Sequence, residues 1–414
     1  MKFSDLSLDT LLKHEPGVLY EQALRWRHGD GLGTDLHSAR RVFGFLALCR
    51  HSGARYQLGV MNLRGEAGVK DKVRALMWFR LAQGRDEPRA ASQITMLSDE
   101  LTGLDARRAL KMMVEVKKAV NLLLAARNPD DEGNVPAMAA LGAQLLAGVD
   151  VDQDASMALE WLQRATQRNN SDAQYHLGLA YAKANGVRKN TTEAVRLLQL
   201  SSEQYHREAR YHWAKLLEQH PKLIQAKGQV RHLYESSAKL GYAPAQLRLG
   251  YLLRGEWIAP PQNLLADEPI TVHKKTVFKR HNDPDLISAL KYFTRAAEQG
   301  NADAQFEVGQ MYAQGLGTAQ LFEEALRWYE LSARQGHAKA QFNLAFLYAY
   351  GQGTEQSYLK AYEWYRISHL CAYPLAKKPM EFTAKKLSLG EIEMADWRAD
   401  SFIYNLPERN DNQP

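Results

Sequence analysis

Residues 304–336 read AQFEVGQMYAQGLGTAQLFEEALRWYELSARQG, and the opening of this stretch recurs along the chain. The next copy, AQFNLAFLY, opens at Ala340, 36 residues after the opening at Ala304. Earlier copies open at the following alanines: Ala54, Ala137, Ala173, Ala209 and Ala245. A fixed period of this length is the sequence signature of a repeat architecture. We therefore predict a stack of similar units rather than two or three separate compact domains.

Each unit reads as two helices. In the first half, Ala304 and Val308 are spaced four residues apart and place apolar side chains on one helix face. A second marker lies 21 residues into the unit, where Ala325 is followed by an aromatic pair at 328–329. Between the halves, a loop such as 315–317 supplies glycine, which suits the left-handed C-terminal cap of a helix.

Short polar residues precede the second helix of several units. Asp35, Asp71 and Asn190 stand at this place, where a side-chain oxygen can accept a hydrogen bond from the first turn. We therefore predict that these three residues are N-caps, and that each unit is an antiparallel helix pair.

The pattern A-x-x-x-L-G-x-x-Y-x-x-G-x-G followed by A-x-x-W-[YF]-x-x-A-A-x-x-G resembles the Sel-one-like (Sel1-like) repeat, a relative of the tetratricopeptide repeat. The tetratricopeptide repeat has a 34-residue period, so 36 residues and the glycine loop favour the Sel-one-like form. The resemblance covers roughly 18–89 and 137–375. It implies an all-α, right-handed α-solenoid of antiparallel helix pairs. It also implies a protein–protein scaffold or adaptor, often bacterial, with no shared catalytic activity.

Two segments outside the period look alike. Thr102 and Asp105, and again Ser388 and Glu391, form the capping-box pattern that starts a helix. We read each as the start of a helix that closes an array, since terminal units must cover the last repeat. The predicted organisation is a short array over 1–118, a main array over 119–403 and a flexible tail over 404–414. A long helix over about 103–127 would join the arrays, and a hinge there is a hypothesis.

Composition narrows the class of protein. The chain has 414 residues, of which 45% are hydrophobic and 24% charged, as in ordinary globular proteins. A mean hydropathy of −0.45 and the lack of a long apolar run argue against a membrane-spanning helix. Cys49 and Cys371 are too few for a disulfide framework and favour a reducing, cytoplasmic setting. The N-terminal stretch also lacks the apolar core of a secretory signal.

The positive charge is unevenly distributed. The net charge of the whole chain is +6. Residues 1–128 carry 21 basic and 14 acidic side chains, so their excess of positive charge is larger than that of the whole chain. Such a region could attract an acidic protein or nucleic acid, and a solvated basic surface is the plainer interpretation. The nucleic-acid alternative depends chiefly on six arginines: Arg25, Arg27, Arg40, Arg41, Arg50 and Arg55.

An insertion interrupts the main array. Gly250 and Gly309 are 59 residues apart instead of 36, which indicates 23 extra residues within roughly 256–285. Alternating β-branched residues there indicate a short hairpin. Long insertions often carry function, so a binding role is one hypothesis for this segment, and a mobile basic loop with no partner is the other. The candidate residues are His273, Lys274, Lys275, Phe278, Lys279 and Arg280.

A candidate binding face follows from the first helices, which line the concave groove in tetratricopeptide-like units. Three helical positions of these helices, on one face, are polar or aromatic from repeat to repeat, and this mixture suits a peptide segment of a partner protein. A solvated face is the alternative. The predicted groove residues are Gln57, Arg64, His176, Lys183, His212, Lys215, Arg248, Tyr251, Glu307, Gln310, Asn343 and Phe346.

No known catalytic motif is present. The sequence contains no nucleophile elbow, no H-E-x-x-H zinc motif, no C-x-x-C pair and no dinucleotide fingerprint. His176 and His212 would lie one above the other and could share a metal, but a third ligand is not evident. We therefore predict no catalytic residues, no metal site and no cofactor.

Overall fold

The computed structural model describes residues 6–29, 33–84, 87–127, 134–148, 153–255 and 283–406. Within these ranges all regular elements are helical, which confirms the predicted all-α class of repeated helix pairs. The chain divides into two compact units, Met1–Leu216 and Leu217–Pro414. The insertion residues 256–282, with the predicted hairpin and all six candidate residues, lie outside the described ranges, as does 407–414.

The first unit is built from short helices and one long one. Most span 11 to 14 residues, whereas α7 spans 24. The helices are α1 (Leu8–Lys13), α2 (Pro16–His28), α3 (Leu36–Leu48), α4 (Ser52–Arg64), α5 (Lys72–Ala82), α6 (Arg89–Glu100), α7 (Gly103–Ala126), α8 (Asn134–Ala147), α9 (Ala155–Gln167), α10 (Ser171–Lys183), α11 (Thr191–Glu203) and α12 (Arg207–Gln219), whose last residues belong to the second unit.

The second unit continues the same pattern of paired helices. Its helices are α13 (Gln229–Lys239), α14 (Ala243–Arg254), α15 (Pro284–Glu298), α16 (Ala302–Gln314), α17 (Phe322–Arg334), α18 (Ala338–Tyr350), α19 (Tyr358–Leu370), α20 (Lys377–Ala384) and α21 (Leu389–Tyr404). Because α15 begins at Pro284, the last two residues of the predicted 256–285 insertion are helical. Nowhere in the described part of the chain is a helix long and apolar enough to span a bilayer.

The predicted helix caps are confirmed. The Asp35 side chain accepts a hydrogen bond from the Ser38 backbone amide at 3.0 Å, and Asp71 and Asn190 cap α5 and α11 in the same way. At the other end of a first helix, Gly315 adopts a left-handed conformation with φ of 66° and closes α16. Local side-chain chemistry therefore sets where each pair of helices begins and turns.

The glycine inside the first helices allows close helix contact. A Cβ atom added at Gly59 would lie 2.5 Å from the Phe79 ring, and one at Gly309 would lie 2.7 Å from the Tyr329 ring. Each aromatic ring comes from the second helix of the same pair and is buried. In these pairs a ring packs directly on helix backbone, whereas at Gly142 and Gly178 the side chain in this place is Leu162 and Leu198.

Both predicted capping boxes are present. Thr102 and Asp105 exchange hydrogen bonds at the start of α7, and Ser388 and Glu391 do so at the start of α21. The helix predicted over about 103–127 is confirmed as α7, which packs against α5 and α8. The predicted boundary between residues 118 and 119 falls inside this helix and, like the hinge, stays a prediction.

Candidate functional site

The predicted groove residues lie on the first helices α4, α10, α12, α14, α16 and α18, as expected. Three of them, Gln57, His212 and Glu307, are buried. Their side chains contribute little surface to a partner and instead hold their neighbours in place. The remaining groove residues are half-buried or exposed, so the accessible part of this face is smaller than the sequence pattern indicates.

In the first repeat, Gln57 belongs to a buried ionic network. Its Oε1 accepts a hydrogen bond from Arg27, and its Nε2 donates to the Tyr20 hydroxyl at 3.3 Å. Arg27 is also paired with Glu66 at 2.7 Å, and this ion pair lowers the pKa of Glu66. Arg64 is exposed and lies 3.5 Å from Glu66. Of the two groove residues predicted here, only Arg64 is presented to solvent.

Three histidines and a tyrosine meet where α10 and α12 approach each other. The Tyr175 ring stacks on His206 with centroids 4.6 Å apart and lies 5.7 Å from the His212 ring and 4.9 Å from His176. Burial lowers the pKa of both His176 and His212 to about 4, so both imidazoles are neutral at pH 7.

Two predicted lysines flank the histidine cluster. The charges of Lys183 and Lys215 add to the lowering of the His212 pKa, after burial. Lys183 is exposed at the end of α10, and Lys215 is half-buried on α12. A search of the described residues finds no group of three or more His, Cys, Asp or Glu that could hold a metal ion. The two lysines thus lie beside the neutral imidazoles of His176 and His212, and the carboxylates of Asp172 and Glu208 lie 3.0 and 3.3 Å from the His206 ring nitrogens.

In the second unit, Tyr251 and Glu307 form a buried cluster with Arg254. The Tyr251 hydroxyl donates to Glu307 Oε1 at 2.9 Å, and Arg254 donates to the other carboxylate oxygen. Burial and the Glu307 charge raise the pKa of Tyr251. Arg254 was missed at the sequence level, although it lies one helical turn after Tyr251. The cluster links α14 to α16, and both carboxylate oxygens of Glu307 accept hydrogen bonds within it.

Arg248 lies at the surface of α14 and is paired within the protein. Its Nη2 is 2.8 Å from Glu218 Oε1, and the Tyr234 hydroxyl donates to Glu218 Oε2 at 2.8 Å. This pairing raises the pKa of Arg248. Arg248 is thus a half-exposed cation whose position is fixed by a neighbouring helix. Glu218, on α12, was also missed at the sequence level.

The aromatic part of the predicted face is on α18. The rings of Phe346 and Tyr350 lie 4.5 Å apart, and Tyr350 is 58% exposed. Asn343, one turn before Phe346, is half-buried and hydrogen-bonds Tyr329. Gln310 on α16 holds the position that corresponds to Phe346, 36 residues earlier, and is also half-buried. These residues form a supported aromatic surface with polar amides nearby.

A set of buried glutamines, one in each of four repeats, was not predicted from the sequence. The glutamine that follows the opening alanine is buried in four repeats; at Gln305 the side chain donates to the Ala297 carbonyl at 3.2 Å. The Gln305 Oε1 accepts from Gln335 at 2.7 Å. The recurrence of Ala-Gln was the available signal. The four glutamines are Gln174, Gln246, Gln305 and Gln341.

Three of the six arginines predicted for nucleic acid contact acceptors within the protein. Arg27 pairs with Glu66, Arg41 Nε lies 3.2 Å from Asp154, and Arg55 donates to two backbone carbonyls at 2.9 and 3.0 Å. These three guanidinium groups point to protein acceptors. They give no support to a continuous basic stripe for nucleic acid.

Repeated helix pairs with glycine-mediated contacts define a helical-repeat protein of the α-solenoid class. The family model for the Sel1 repeat matches about half of the chain, and the chain belongs to the Sel1-repeat family. Proteins of this family generally mediate protein–protein interactions. The matched residues are 52–82, 135–170, 171–206, 243–265, 283–301, 302–337 and 338–368.

Similar proteins share the fold over different lengths. A protective antigen of uropathogenic Escherichia coli with an SLR (Sel1-like repeat) fold is 23% identical to this chain and has a TM-score of 0.57. The match covers 94% of this chain and 84% of that one. An uncharacterised protein of Neisseria meningitidis is 26% identical over 226 residues, 52% of this chain and 46% of that protein. The rat DAP3-binding cell death enhancer 1 is 29% identical over 206 residues, which are 50% of this chain and 30% of that protein. The matches span less than half of both curated relatives.

Proposed function

We propose that this chain is a non-catalytic scaffold that binds a partner protein through the face formed by the first helices of its repeats. The observation that carries the proposal is the Phe346–Tyr350 pair on α18, in which the exposed Tyr350 ring lies 4.5 Å from the half-buried Phe346 ring at an angle of 40°. Aromatic side chains held in a fixed position are the usual energetic anchors of protein interfaces. The general role of Sel1-repeat proteins in protein–protein interaction points the same way.

The surroundings of the pair suit a peptide segment. Gln310 and Asn343 supply amide groups, and Arg248 supplies a positioned cation on the same set of helices. A mixed polar and aromatic surface binds extended or helical segments through side-chain anchors with polar contacts around them. We further propose a bacterial setting, which the resemblance to the Sel1-like repeat implies, and a cytoplasmic one, because two cysteines suit a reducing compartment.

The test is affinity capture with the full chain from its native host, comparing wild type with Phe346→Ala/Tyr350→Ala. Loss of two aromatic anchors should weaken binding of the specific partner by at least about 2 kcal/mol, roughly 30-fold. The control is Phe382→Ala/Tyr404→Ala, which removes one phenylalanine and one tyrosine side chain, both exposed, from α20 and α21, outside the first helices.

The proposal requires a partner that the α18 variant loses and the control variant keeps. Thermal unfolding followed by circular dichroism must show that both variants remain folded. If each captured protein binds the two variants equally well, the first-helix face is the wrong surface.

A further inference from the structure

The short helix α1 contacts a helix far along the chain. It spans six residues, Leu8–Lys13, and lies before the first repeated helix pair, α2 and α3. The Leu8 backbone amide donates to Glu160 Oε2 at 2.6 Å, and Arg164 donates to Asp9 Oδ1 at 2.8 Å. Both partners are on α9, the second helix of a later pair. We call the surface of α9 that carries Glu160 and Arg164 the α1-binding surface.

Two leucines form the apolar side of α1. Leu8 and Leu11 are fully buried and belong to the same hydrophobic core as Trp161 and Leu162 of α9. Residues three apart lie on one face of a helix. Peptides that bind as helices in grooves use the same arrangement, with apolar anchors at this spacing and polar contacts beside them. α1 therefore docks on α9 in the manner of a bound peptide.

The α1-binding surface is also held by contacts that do not involve α1. Arg41 of α3 lies 3.7 Å from Glu160 Oε1. The guanidinium of Arg164 lies over the Trp161 ring, 5.3 Å from its centroid. Because the repeat helices position both polar groups, this surface is organised in advance for a ligand.

The helical structure of α1 depends on docking. A helix of six residues is not stable alone in water, because nucleation is costly. Ser7 Oγ accepts a hydrogen bond from the Thr10 amide at 3.3 Å, which supports the first turn locally. Residues 14 and 15 join Lys13 to Pro16 of α2, so the connection to the repeats is short. α1 thus has the character of a segment that folds when it binds.

We propose that the α1-binding surface takes a helical segment of a partner protein, which displaces α1. The segment has the chemistry of α1: two leucines three residues apart, and Asp or Glu directly after the first. The leucines take the places of Leu8 and Leu11, and the carboxylate pairs with Arg164. The inference rests on the proposed role as a protein-binding scaffold, but it uses a second helix of the first unit rather than the first-helix face.

The two kinds of contact contribute differently to such binding. The side chains of Arg164 and Asp9 are 31% and 67% exposed, so their ion pair is screened by water and adds selectivity more than affinity. The buried leucines supply most of the affinity. Since α1 is covalently attached, it competes at a high effective concentration. The intact chain should therefore bind a free segment weakly, and release of α1 should strengthen binding.

The test measures binding of a fluorescein-labelled peptide, residues 6–14 of this chain, to the full chain by fluorescence anisotropy. Leu8→Ala/Leu11→Ala in the full chain should release α1. This variant should bind the peptide at least about tenfold more tightly than wild type, because its own segment no longer competes. A peptide in which both leucines are alanine should not bind.

The matched control is Leu104→Ala/Leu110→Ala, which makes the same two substitutions at exposed positions of α7. It should bind the peptide as weakly as wild type does. Thermal unfolding followed by circular dichroism checks that each variant is folded. If Leu8→Ala/Leu11→Ala does not fold, Asp9→Arg in the full chain loosens α1 through Arg164 alone and should strengthen peptide binding by about twofold or more.

Charge exchange then locates the bound peptide. Adding Arg164→Glu to the released chain should weaken binding at least about threefold, because attraction to the peptide carboxylate becomes repulsion. A peptide with Asp9→Arg should bind this chain more tightly than the original peptide does. Arg188→Glu makes the same charge change at an exposed residue between α10 and α11, and should leave binding of both peptides unchanged.

Three results would overturn the proposal. The first is equal binding by the released and wild-type chains, and the second is equal weakening by Arg164→Glu and Arg188→Glu. The third is a wild-type dimer, measured by light scattering, that Leu8→Ala/Leu11→Ala converts to a monomer, since the occupant would then be a second copy of this chain.

This test separates the two proposals. If the peptide fails to bind while a partner still depends on Phe346 and Tyr350, the inference about the α1-binding surface alone is wrong. If the peptide binds as expected while no partner depends on Phe346 and Tyr350, the first-helix proposal alone is wrong.

Discussion

Glycine residues within the first helices show how single positions control the packing of a repeat. Glycine in a helix costs about 1 kcal/mol relative to alanine, so its recurrence at Gly59, Gly250 and Gly309 needs a compensating contact. The contact is a buried aromatic ring from the second helix. At Gly59 and Gly250, an added Cβ atom would lie 2.5 Å from the ring of Phe79 and Phe293, respectively.

We expect Gly59→Ala to destabilise the protein despite its better helix propensity. Overpacking against Phe79 costs about 1–3 kcal/mol, and the gain in propensity offsets about 1 kcal/mol of it. The net loss in unfolding free energy should be up to about 2 kcal/mol, measured by urea denaturation. Gly44→Ala is the control, because Gly44 lies within α3 with no neighbouring atom within 4 Å of an added Cβ. It should raise stability by up to about 1 kcal/mol. Equal stability of the two variants would contradict the close contact.

At the same scale, residue patterns predict some features and miss others. The caps at Asp35, Asp71 and Asn190 depend on neighbours three residues away, so the local sequence was sufficient. His212 and Glu307 read as surface positions because polar residues usually face water. Their burial depends on partners from other helices, such as Arg254 for Glu307, and no local pattern contains that information.

At the scale of elements, one buried and one half-buried histidine make the α10–α12 packing sensitive to acid. Both His176 and His212 have a pKa of about 4 in the folded protein, against an ordinary value of 6.5. Between these values the unfolded chain binds more protons than the folded chain, so stability falls as the pH falls. The stabilising effect is complete above pH 6.5 and is lost as the pH approaches 4.

We therefore expect His176→Gln/His212→Gln to flatten the pH dependence of unfolding. In the wild type, each histidine should contribute a slope of up to about 1.4 kcal/mol per pH unit between pH 6.5 and 4. Urea unfolding at several pH values measures the slope. His28→Gln, at an exposed position on α2, controls for the loss of an imidazole. An unchanged slope in the double variant would mean that these two rings do not carry the acid sensitivity.

At the scale of the whole molecule, the repeat pattern continues on both sides of the insertion. The helices α14 and α15 pack as a pair, with the Phe293 ring against Gly250 and its centroid 5.3 Å from that of Tyr251. The same glycine–aromatic contact forms in α16 and α17, which are joined by residues 315–321 alone. The contacts that close this repeat are thus complete without residues 256–282. Sequence spacing located the insertion, but its function depends on a partner that the chain does not specify.

Replacing residues 256–282 by five residues, so that seven residues join Arg254 to Pro284, should preserve the fold. For a flexible connection, each halving of length changes the closure free energy by only about 0.6 kcal/mol, in favour of the shorter one. Urea unfolding should therefore show stability equal to wild type or up to about 1 kcal/mol higher. A loss of more than about 2 kcal/mol would show that the segment stabilises the array. If the shortened chain is stable but loses a partner that wild type captures, the predicted binding role of His273, Lys274, Lys275, Phe278, Lys279 and Arg280 gains direct support. An unchanged set of partners would make the segment a connection only, and the first-helix face would then be the surface to test.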